Sequence, residues 1–233
     1  MFKDVLYNVV VNDWDETTYV PTAAGNICLA ILIALLVVLA MVFASKYRNK
    51  SDDETKRKLS TKQLAFCAMA IALGTVLSMI KVFHFPTGGS ITLVSMLVIC
   101  LPGYFFGVGA GIMAAIAYGV LQLLIDPYVL YPAQLLVDYI LAFGALGLSG
   151  LFATAKNGLT KGYITGVFGR FVFAVISGWI FFGSYAWEGW GALPYSLAYN
   201  AIYIFAEAII TLILINIPAV KKAIDLIKNM ANN

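Results

Sequence analysis

The segment from Gln134 to Gly150 reads QLLVDYILAFGALGLSG and contains a single charged residue, Asp138, in an otherwise apolar run. A carboxylate in such a run costs several kcal/mol unless it is paired or faces a wet cavity. We therefore expect Asp138 to face a cationic ligand. Small residues further along the segment predict close packing against neighbouring helices; they are Gly144, Gly147 and Gly150.

The composition around this segment is that of an integral membrane protein. Of the 233 residues, 61% are hydrophobic and only 12% are charged, and the mean hydropathy is +0.88. These values lie far outside the range of soluble globular proteins. Because a helix needs about 20 residues to cross a bilayer, the chain has room for roughly seven membrane helices and no soluble domain.

The charges divide the chain into five parts. Residues 1–22 carry four acidic residues against one lysine, and they lack the basic start of a cleavable signal. An uninterrupted apolar run follows, and then a basic stretch that the positive-inside rule places in the cytoplasm. The predicted organisation is an extracellular N-terminal segment over 1–22, an extra N-terminal transmembrane helix over 23–44, a basic linker over 45–62, a six-helix core over 63–217 and a cytoplasmic tail over 218–233.

Six hydrophobic segments of the core are predicted to be all-α membrane spans. Counting them alternately from the basic linker places most of the 15 basic residues on the linker's side of the membrane. This distribution predicts an external N-terminus and a cytoplasmic C-terminus. The predicted spans cover residues 63–83, 91–106, 107–125, 133–155, 162–184 and 195–217.

Two helix faces are built from small residues. Gly107, Gly111, Ala115 and Gly119 recur every four residues, a spacing that lets two helices approach closely, and we interpret this face as internal packing. The second face lies on the span that follows the basic linker. It serves either internal packing or docking to a separate membrane subunit, and it consists of Ala65, Ala68 and Ala72.

The predicted outer connections contain unusual residues. They read HFPTGGS, DPYVLYP and YAWEGWGALP, and they hold the only histidine of the chain, His84. A ligand that enters from outside meets these residues first. The alternative for their aromatic residues is an aromatic belt at the level of the lipid headgroups.

Three charged residues lie well inside predicted spans, away from their ends, namely Asp138, Arg170 and Glu207. Such residues are functional by default, but an ion pair of Arg170 with either carboxylate is the structural alternative. At 1.5 Å per residue, Asp138 lies about 8 Å below the outer surface. Asn200 lies at a similar depth, whereas Arg170 lies nearer the cytoplasmic end and is assigned, with Glu207, to structure or coupling.

A pocket that opens to the outside is therefore expected to collect a carboxylate, aromatic faces and an amide. This combination suits a flat ligand with a positive charge. One histidine and scattered carboxylates make no metal site, the three cysteines show no CxxC spacing, and no nucleophile lies beside a base. We expect no enzymatic activity, no cofactor and no nucleic-acid partner. The pocket residues are Asp138, Tyr139, Phe182, Tyr195 and Asn200.

Three motifs in order carry a resemblance to a known family. They are GGSITLVSM from Gly88, YGVLQLLIDPYVLYPAQLLVDYILAFGALGLSGLF from Tyr118, and ISGWIFFGSYAWEGWGALPYSLAYN from Ile176. The chain over 59–217 resembles the thiamine-specific S-components of energy-coupling factor (ECF) vitamin transporters. The resemblance implies a six-helix protein of the bacterial plasma membrane that binds thiamine from outside. It also implies a transmembrane EcfT subunit and two ATPase subunits as partners, and the chain itself lacks a Walker motif.

The resemblance also implies roles for particular residues. Asp138 matches the family's acidic ligand residue, Tyr195 and Asn200 match its residues at the start of the last helix, and Phe182 matches its stacking aromatic. Ala68 and Ala72 match its docking face for EcfT. The full set of candidate substrate-binding residues is Asp138, Tyr139, Tyr195, Asn200, Phe182, Gly178, Trp187, Tyr128, Gln134 and Ser90.

The chain departs from the family pattern at several positions. Ala174 stands where the family often has a histidine, Ser90 where some members have a tryptophan, and the span over 23–44 has no counterpart. An S-component for a related ligand, such as pyridoxine or the pyrimidine precursor of thiamine, is therefore an alternative. A stand-alone secondary transporter is a weaker alternative because no inverted repeat is present.

Overall fold

A computed structural model describes residues 7–11, 17–24, 27, 59–85, 89–126, 128 and 130–232. The predicted extra transmembrane helix and basic linker lie mostly outside these residues. The first described element is an antiparallel hairpin of strands β1 (Tyr7–Val11) and β2 (Thr17–Pro21). The backbone of β2 contacts the helix Gly158–Phe181 and the short 3-10 turn Gly183–Tyr185 that follows it.

Five helices of the described chain are long and apolar enough to cross a membrane, which confirms the prediction of an all-helical, multi-pass membrane fold. Each begins and ends within a few residues of a predicted span because each apolar run fills the length that a bilayer requires. The helices are α1 (Thr61–Met79), α3 (Val108–Ile125), α4 (Ala133–Phe152), α5 (Gly158–Phe181) and α6 (Ala192–Ile215).

The predicted span over 91–106 is wrong in its first part. Helix α2 (Ser95–Phe106) has 12 residues, and at about 18 Å it is shorter than the roughly 30 Å hydrocarbon core. The preceding residues form strands β3 (Lys81–His84) and β4 (Ser90–Thr92) instead of helix. The PTGG sequence between the strands supplies turn residues, so the end of the first predicted span and the start of the second become a hairpin.

The interpretation of the glycine-rich face of α3 as internal packing is confirmed. A Cβ atom at Gly111 would meet Gly103 of α2 and the carbonyl oxygen of Gly147 in α4, and one at Gly119 would overlap the carbonyl oxygen of Tyr139. Gly147 in turn lies against the backbone of Ile112. Helices α2, α3 and α4 therefore meet almost backbone to backbone.

The residues of the predicted tail form a further helix, α7 (Pro218–Asn232). Its Ile224 and Ala231 are buried against the core. The ammonium group of Lys228 lies 3.7 Å from the ring centroid of Tyr104, whose hydroxyl donates to Asp225 at 3.2 Å. These contacts attach α7 to the end of α2.

Helix α4 is irregular along most of its length. Residues Leu136–Ala142 form a π-helical stretch, and Ala145–Phe152 form a tighter 3-10 stretch. π-Helical turns widen a helix and concentrate at functional sites, and irregular backbone is tolerated at membrane depth where it lines a cavity. Asp138 lies inside the π-helical stretch.

Candidate functional site

A cavity of about 160 Å³ opens between α4, α5, α6 and the β3–β4 hairpin. Its lining contains every predicted substrate-binding residue except Trp187. Trp187 is 44% exposed and packs edge-on against Tyr195, with the ring centroids 5.3 Å apart. It therefore lies beside the cavity and supports Tyr195. The predicted residues that line the cavity are Asp138, Tyr139, Tyr195, Asn200, Phe182, Gly178, Tyr128, Gln134 and Ser90.

The carboxylate of Asp138 faces this cavity with most of its acceptor capacity unused. Its Oδ2 accepts a hydrogen bond from Gln134 Nε2 at 3.0 Å, and Ser177 of α5 lies next to it in the cavity lining. An ionised carboxylate accepts about four hydrogen bonds. Among the described residues Asp138 forms no ion pair, so the structural alternative of a pair with Arg170 is wrong.

Gln134 and Tyr139 hold the loop between α3 and α4 in place. The Tyr139 hydroxyl accepts a hydrogen bond from Tyr128 N at 2.7 Å and donates to Asp126 O at 3.3 Å. Gln134 Nε2 donates to Tyr128 O at 2.8 Å, and its Oε1 accepts from Leu130 N at 2.7 Å. Both backbone polar groups of Tyr128 are thus bound by side chains of α4.

Tyr128 and Phe182 form an aromatic wall. Their rings are nearly parallel, at 15°, with the centroids 5.8 Å apart. Burial raises the pKa of Tyr128 to about 12, so its hydroxyl remains neutral at physiological pH. This wall is neutral and flat, and it offers the faces that a planar or cationic ring requires.

The amide of Asn200 is satisfied by protein groups in this structure. Its Nδ2 donates to Ser196 O at 2.9 Å and to Ala174 O at 3.3 Å, and its Oδ1 accepts from the Tyr203 hydroxyl at 2.7 Å. A Cβ atom at Gly178 would overlap Ser196 Oγ. Gly178 and Asn200 therefore join α5 to α6 at the cavity, next to Ala174.

Arg170 also lines the cavity, and this differs from the prediction that placed it outside the pocket. It lies on α5 about 16 Å from the C-terminal end of that helix, so the cavity extends further along the helices than the depth of about 8 Å expected for Asp138 and Asn200. Its guanidinium carbon is 4.4 Å from the ring centroid of Phe143. The sequence contained a signal for this placement, because Arg170, Ala174 and Gly178 recur every four residues on one face of α5.

Of the two roles predicted for Glu207, structure or coupling, its contacts are those of a structural residue. Its side chain is 3% exposed. The carboxylate accepts from Thr92 N at 3.0 Å, Thr92 Oγ1 at 2.6 Å and Met96 N at 3.1 Å. It therefore neutralises the N-terminus of α2 and fastens strand β4 to α6.

The rim of the cavity is held by polar contacts of the β3–β4 hairpin. Lys81 Nζ forms an ion pair with Asp126 Oδ2 at 2.6 Å, which connects the hairpin to the end of α3. His84 Nδ1 and Ser90 Oγ share a hydrogen bond of 2.8 Å, so Ser90 is oriented by its partner strand. The hairpin thus forms one side of the entrance.

Several cavity residues were not predicted from the sequence. Tyr199 and Tyr203 follow Tyr195 at intervals of four residues and extend an aromatic stripe along one face of α6. The Tyr199 hydroxyl accepts a hydrogen bond from Gly89 N at 3.1 Å, which ties this stripe to the hairpin. The repeat of tyrosine every four residues was the available signal. Further unpredicted lining residues include Ser177, Ser196, Phe143 and Lys81.

The alanine face of α1 is exposed. Ala65, Ala68 and Ala72 all lie on the surface, beside the large apolar side chains of Leu64, Met69 and Leu73. Within the described part of the chain, these alanines therefore lie outside the packed interior. Their role in docking to another membrane subunit stays a prediction.

Comparisons with known proteins agree on one family. The model of a family described as thiamine transporter protein (Thia_YuaJ) matches residues 64–227. The thiamine transporter ThiT of Bacillus subtilis (strain 168) is 36% identical over 162 residues, which cover 64% of this chain and 83% of that protein. The ThiT of Lacticaseibacillus paracasei is 29% identical over 121 residues, covering 45% of this chain and 60% of that protein.

A solved structure shows the same fold. ThiT from Listeria monocytogenes superposes with a TM-score of 0.59 at 27% identity, and the superposition covers 67% of this chain and 94% of that chain. The family match begins at residue 64, so the predicted extra transmembrane helix lies outside it.

Proposed function

Because the chain belongs to the ThiT/YuaJ family of thiamine transporter proteins, we propose that it captures thiamine in the cavity around Asp138 for uptake across the membrane. The family consists of transporters, which confirms the prediction that the chain is not an enzyme. Thiamine has two planar rings. One ring carries a permanent positive charge, and the other carries an amino group. Its chemistry therefore matches a site with one carboxylate and an aromatic wall.

The observation that carries the proposal is the carboxylate of Asp138, which has acceptor capacity left beyond its bond from Gln134, in the same cavity as the Tyr128–Phe182 wall. Asp138 accepts hydrogen bonds from the amino group of the ligand or attracts its positive ring. Each aromatic face contributes roughly 0.5 to 2 kcal/mol to binding of a cation. Gln134 keeps Asp138 in position, because it bonds to the carboxylate and to the Tyr128 backbone at once.

We further propose that the chain acts as the S-component of an ECF transporter, together with an EcfT subunit and two ATPase subunits. The exposed alanine face of α1 supports this part of the proposal, since small residues allow close approach of a second membrane helix. The expected orientation places the N-terminus and the β3–β4 hairpin outside and α7 in the cytoplasm.

A related ligand is the second candidate, and Ala174 favours it. This position is buried beside Asn200 and carries only a methyl group, so the imidazole that the family often supplies is absent. Pyridoxine and the free pyrimidine of thiamine are the ligands to compare.

The proposal is tested with labelled thiamine and the full-length protein purified in detergent. We expect saturable binding that unlabelled thiamine displaces and that pyridoxine does not. If pyridoxine displaces labelled thiamine at a lower concentration than unlabelled thiamine does, the related ligand is the better candidate. Uptake in cells with and without EcfT and the ATPases then tests the partnership, because a stand-alone transporter would not need them.

A further inference from the structure

A groove with apolar walls lies where α6 ends and α7 begins, apart from the cavity around Asp138. Ile209 and Ile213 are four residues apart and share one face of α6, and Ile217 continues the series just beyond its end. All three are exposed, at 58%, 65% and 42%. None of the groove residues lines the cavity; they are Ile209, Leu212, Ile213, Asn216, Ile217 and Pro218.

Helix α7 lies across the end of the helix bundle. Lys228 Nζ donates a hydrogen bond to Ala153 O at 2.6 Å, just beyond the end of α4. Asn232 Nδ2 donates to Phe105 O at 3.4 Å, in the last turn of α2. The backbone of α7 also contacts α1 and α6. Because these partners belong to the ends of several helices, α7 runs along the end of the bundle and does not extend α6.

The side of α7 that faces away from the bundle is apolar. Leu226, Ile227 and Met230 are exposed, and their spacing of three and four residues places them on one face. Helix α6 is long enough to cross a membrane, so its end lies near the level of the headgroups and α7 follows at that level. An amphipathic helix in this position buries its apolar face at the boundary between headgroups and acyl chains.

The same end of the protein is basic. Residues 153–161 and α7 together contain five lysines and one carboxylate, Asp225. Clustered lysines next to a membrane helix attract anionic lipid headgroups. In the proposed orientation this end faces the cytoplasm, and the cytoplasmic leaflet is the one that carries anionic lipids.

Lys222 is the lysine of α7 that stands next to the groove without a protein partner. Lys221 Nζ donates to Asn157 Oδ1 at 3.2 Å, and Lys228 is bound to the end of α4. Lys222 is exposed and, within the described residues, forms no hydrogen bond and no ion pair. It follows Pro218 by four residues and therefore lies on the same face of α7 as this groove residue.

We propose that the groove binds one acyl chain of an anionic phospholipid and that Lys222 binds the phosphate of its headgroup. A lipid fits this surface better than a second protein helix, because membrane helices approach each other through small residues and the groove is lined mainly by isoleucine and leucine. The excess of lysine favours an anionic headgroup over a zwitterionic one. The bound lipid fastens α7 to the membrane. This site is separate from the cavity and stands whether or not thiamine is the ligand there.

The headgroup is tested by native mass spectrometry of the full-length protein, purified in a non-ionic detergent and titrated with phosphatidylglycerol or phosphatidylcholine of the same acyl chains. We expect the first phosphatidylglycerol to bind about 5-fold or more tightly than phosphatidylcholine, the factor that one lysine near a headgroup contributes. Lys222→Gln should abolish this preference. Lys161→Gln should keep it, because it removes the same charge from an exposed lysine outside the groove lining.

The acyl chain is tested by filling the groove. Ile213→Trp should weaken binding of the first molecule of either lipid about 10-fold, the effect of expelling about two CH₂ groups of the chain. Ile164→Trp adds the same bulk at an exposed position of α5 and should leave lipid binding unchanged.

Equal affinity of the wild type for the two lipids would overturn the proposal, and so would equal effects of Lys222→Gln and Lys161→Gln. Unchanged lipid binding in Ile213→Trp would contradict an acyl chain in the groove. Displacement of phosphatidylglycerol by glycerol 3-phosphate would show that the site takes a free phosphate ester and not a lipid. Should Ile213→Trp not fold, the wild type is titrated with phosphatidylglycerols of shorter acyl chains; an affinity that does not fall with chain length contradicts the proposal.

Discussion

The carboxylate of Asp138 accepts a hydrogen bond of 3.0 Å from the side-chain amide of Gln134 one turn earlier in α4. The same amide nitrogen donates to the backbone carbonyl of Tyr128 at 2.8 Å. A single side chain thus fixes the acidic group of the site and one half of its aromatic wall. The positions of these two protein groups, which are proposed to contact the ligand, are therefore set within α4 and the loop before it.

Gln134→Leu should weaken thiamine binding about 10-fold or more. The substitution removes the hydrogen bond to Asp138 and the bonds that hold the 128–131 loop, and a bond to a charged group contributes roughly 1.5–3 kcal/mol. Isothermal titration of purified protein measures the change. Gln63→Leu on α1 is the control, since among the described residues the hydrogen bonds of Gln63 are those of the capping box with Ser60. Equal losses in both variants would contradict the assignment.

Phe182→Ala should reduce thiamine affinity more than Tyr128→Phe does. The first substitution removes one ring of the wall, where an aromatic contact contributes roughly 0.5–1.5 kcal/mol beyond its buried area. The second keeps the ring and removes only a hydroxyl. Dissociation constants for the two variants check this order, and a larger loss in Tyr128→Phe would show that hydrogen bonding matters more than the aromatic faces.

Gly119→Ala should destabilise the protein by roughly 1–3 kcal/mol, because the new methyl group would overlap the Tyr139 carbonyl and force α3 away from α4. Gly109→Ala provides the matched control on the same helix. No atom lies within 4 Å of a Cβ built at Gly109, and alanine favours the helix by roughly 0.5–1 kcal/mol. Thermal unfolding in detergent should therefore shift down in the first variant and not in the second.

Ala68→Trp should abolish uptake by the complete transporter and leave thiamine binding to the isolated protein unchanged. A large side chain on the exposed face of α1 blocks close approach of another helix, and it lies outside the cavity lining. Uptake and binding are measured in parallel. Ile202→Trp, at an exposed position of α6, is the control for lipid-facing bulk. Normal uptake by the Ala68 variant would remove the alanine face from the docking surface.

The helical membrane fold could be predicted from the sequence because each span is a long apolar run, and the packing role of Gly111 and Gly119 followed from their spacing. The β3–β4 hairpin could not be predicted in the same way. Its apolar residues Val82, Phe83 and Ile91 adjoin apolar helices, so hydropathy merges them with the spans on either side. The pairing of β3 with β4 and the capping of α2 by Glu207, which lies far away in sequence, separate them.

The candidate site was predictable in its polar residues and less so in its depth. Asp138 stood out because a charge in an apolar run is rare. Its position in the spans grouped it with other pocket residues such as Asn200, and the resemblance then implied their roles. Arg170 was placed outside the pocket because depth was counted from the ends of the spans. The cavity lining extends along α5 to Arg170 and along the π-helical stretch of α4 to Ala142, and a periodicity argument does not give the volume of a cavity.

The most direct test of a thiamine site at Asp138 is equilibrium binding of labelled thiamine to the purified full-length protein, to Asp138→Asn and to Glu188→Gln. Glu188 is an exposed carboxylate of the outer loop and lies outside the cavity lining. We predict that Glu188→Gln binds like the wild type and that Asp138→Asn loses about 30-fold or more in affinity, the equivalent of roughly 2 kcal/mol. Affinity of Asp138→Asn within about 3-fold of the wild type, less than 1 kcal/mol, would contradict the account.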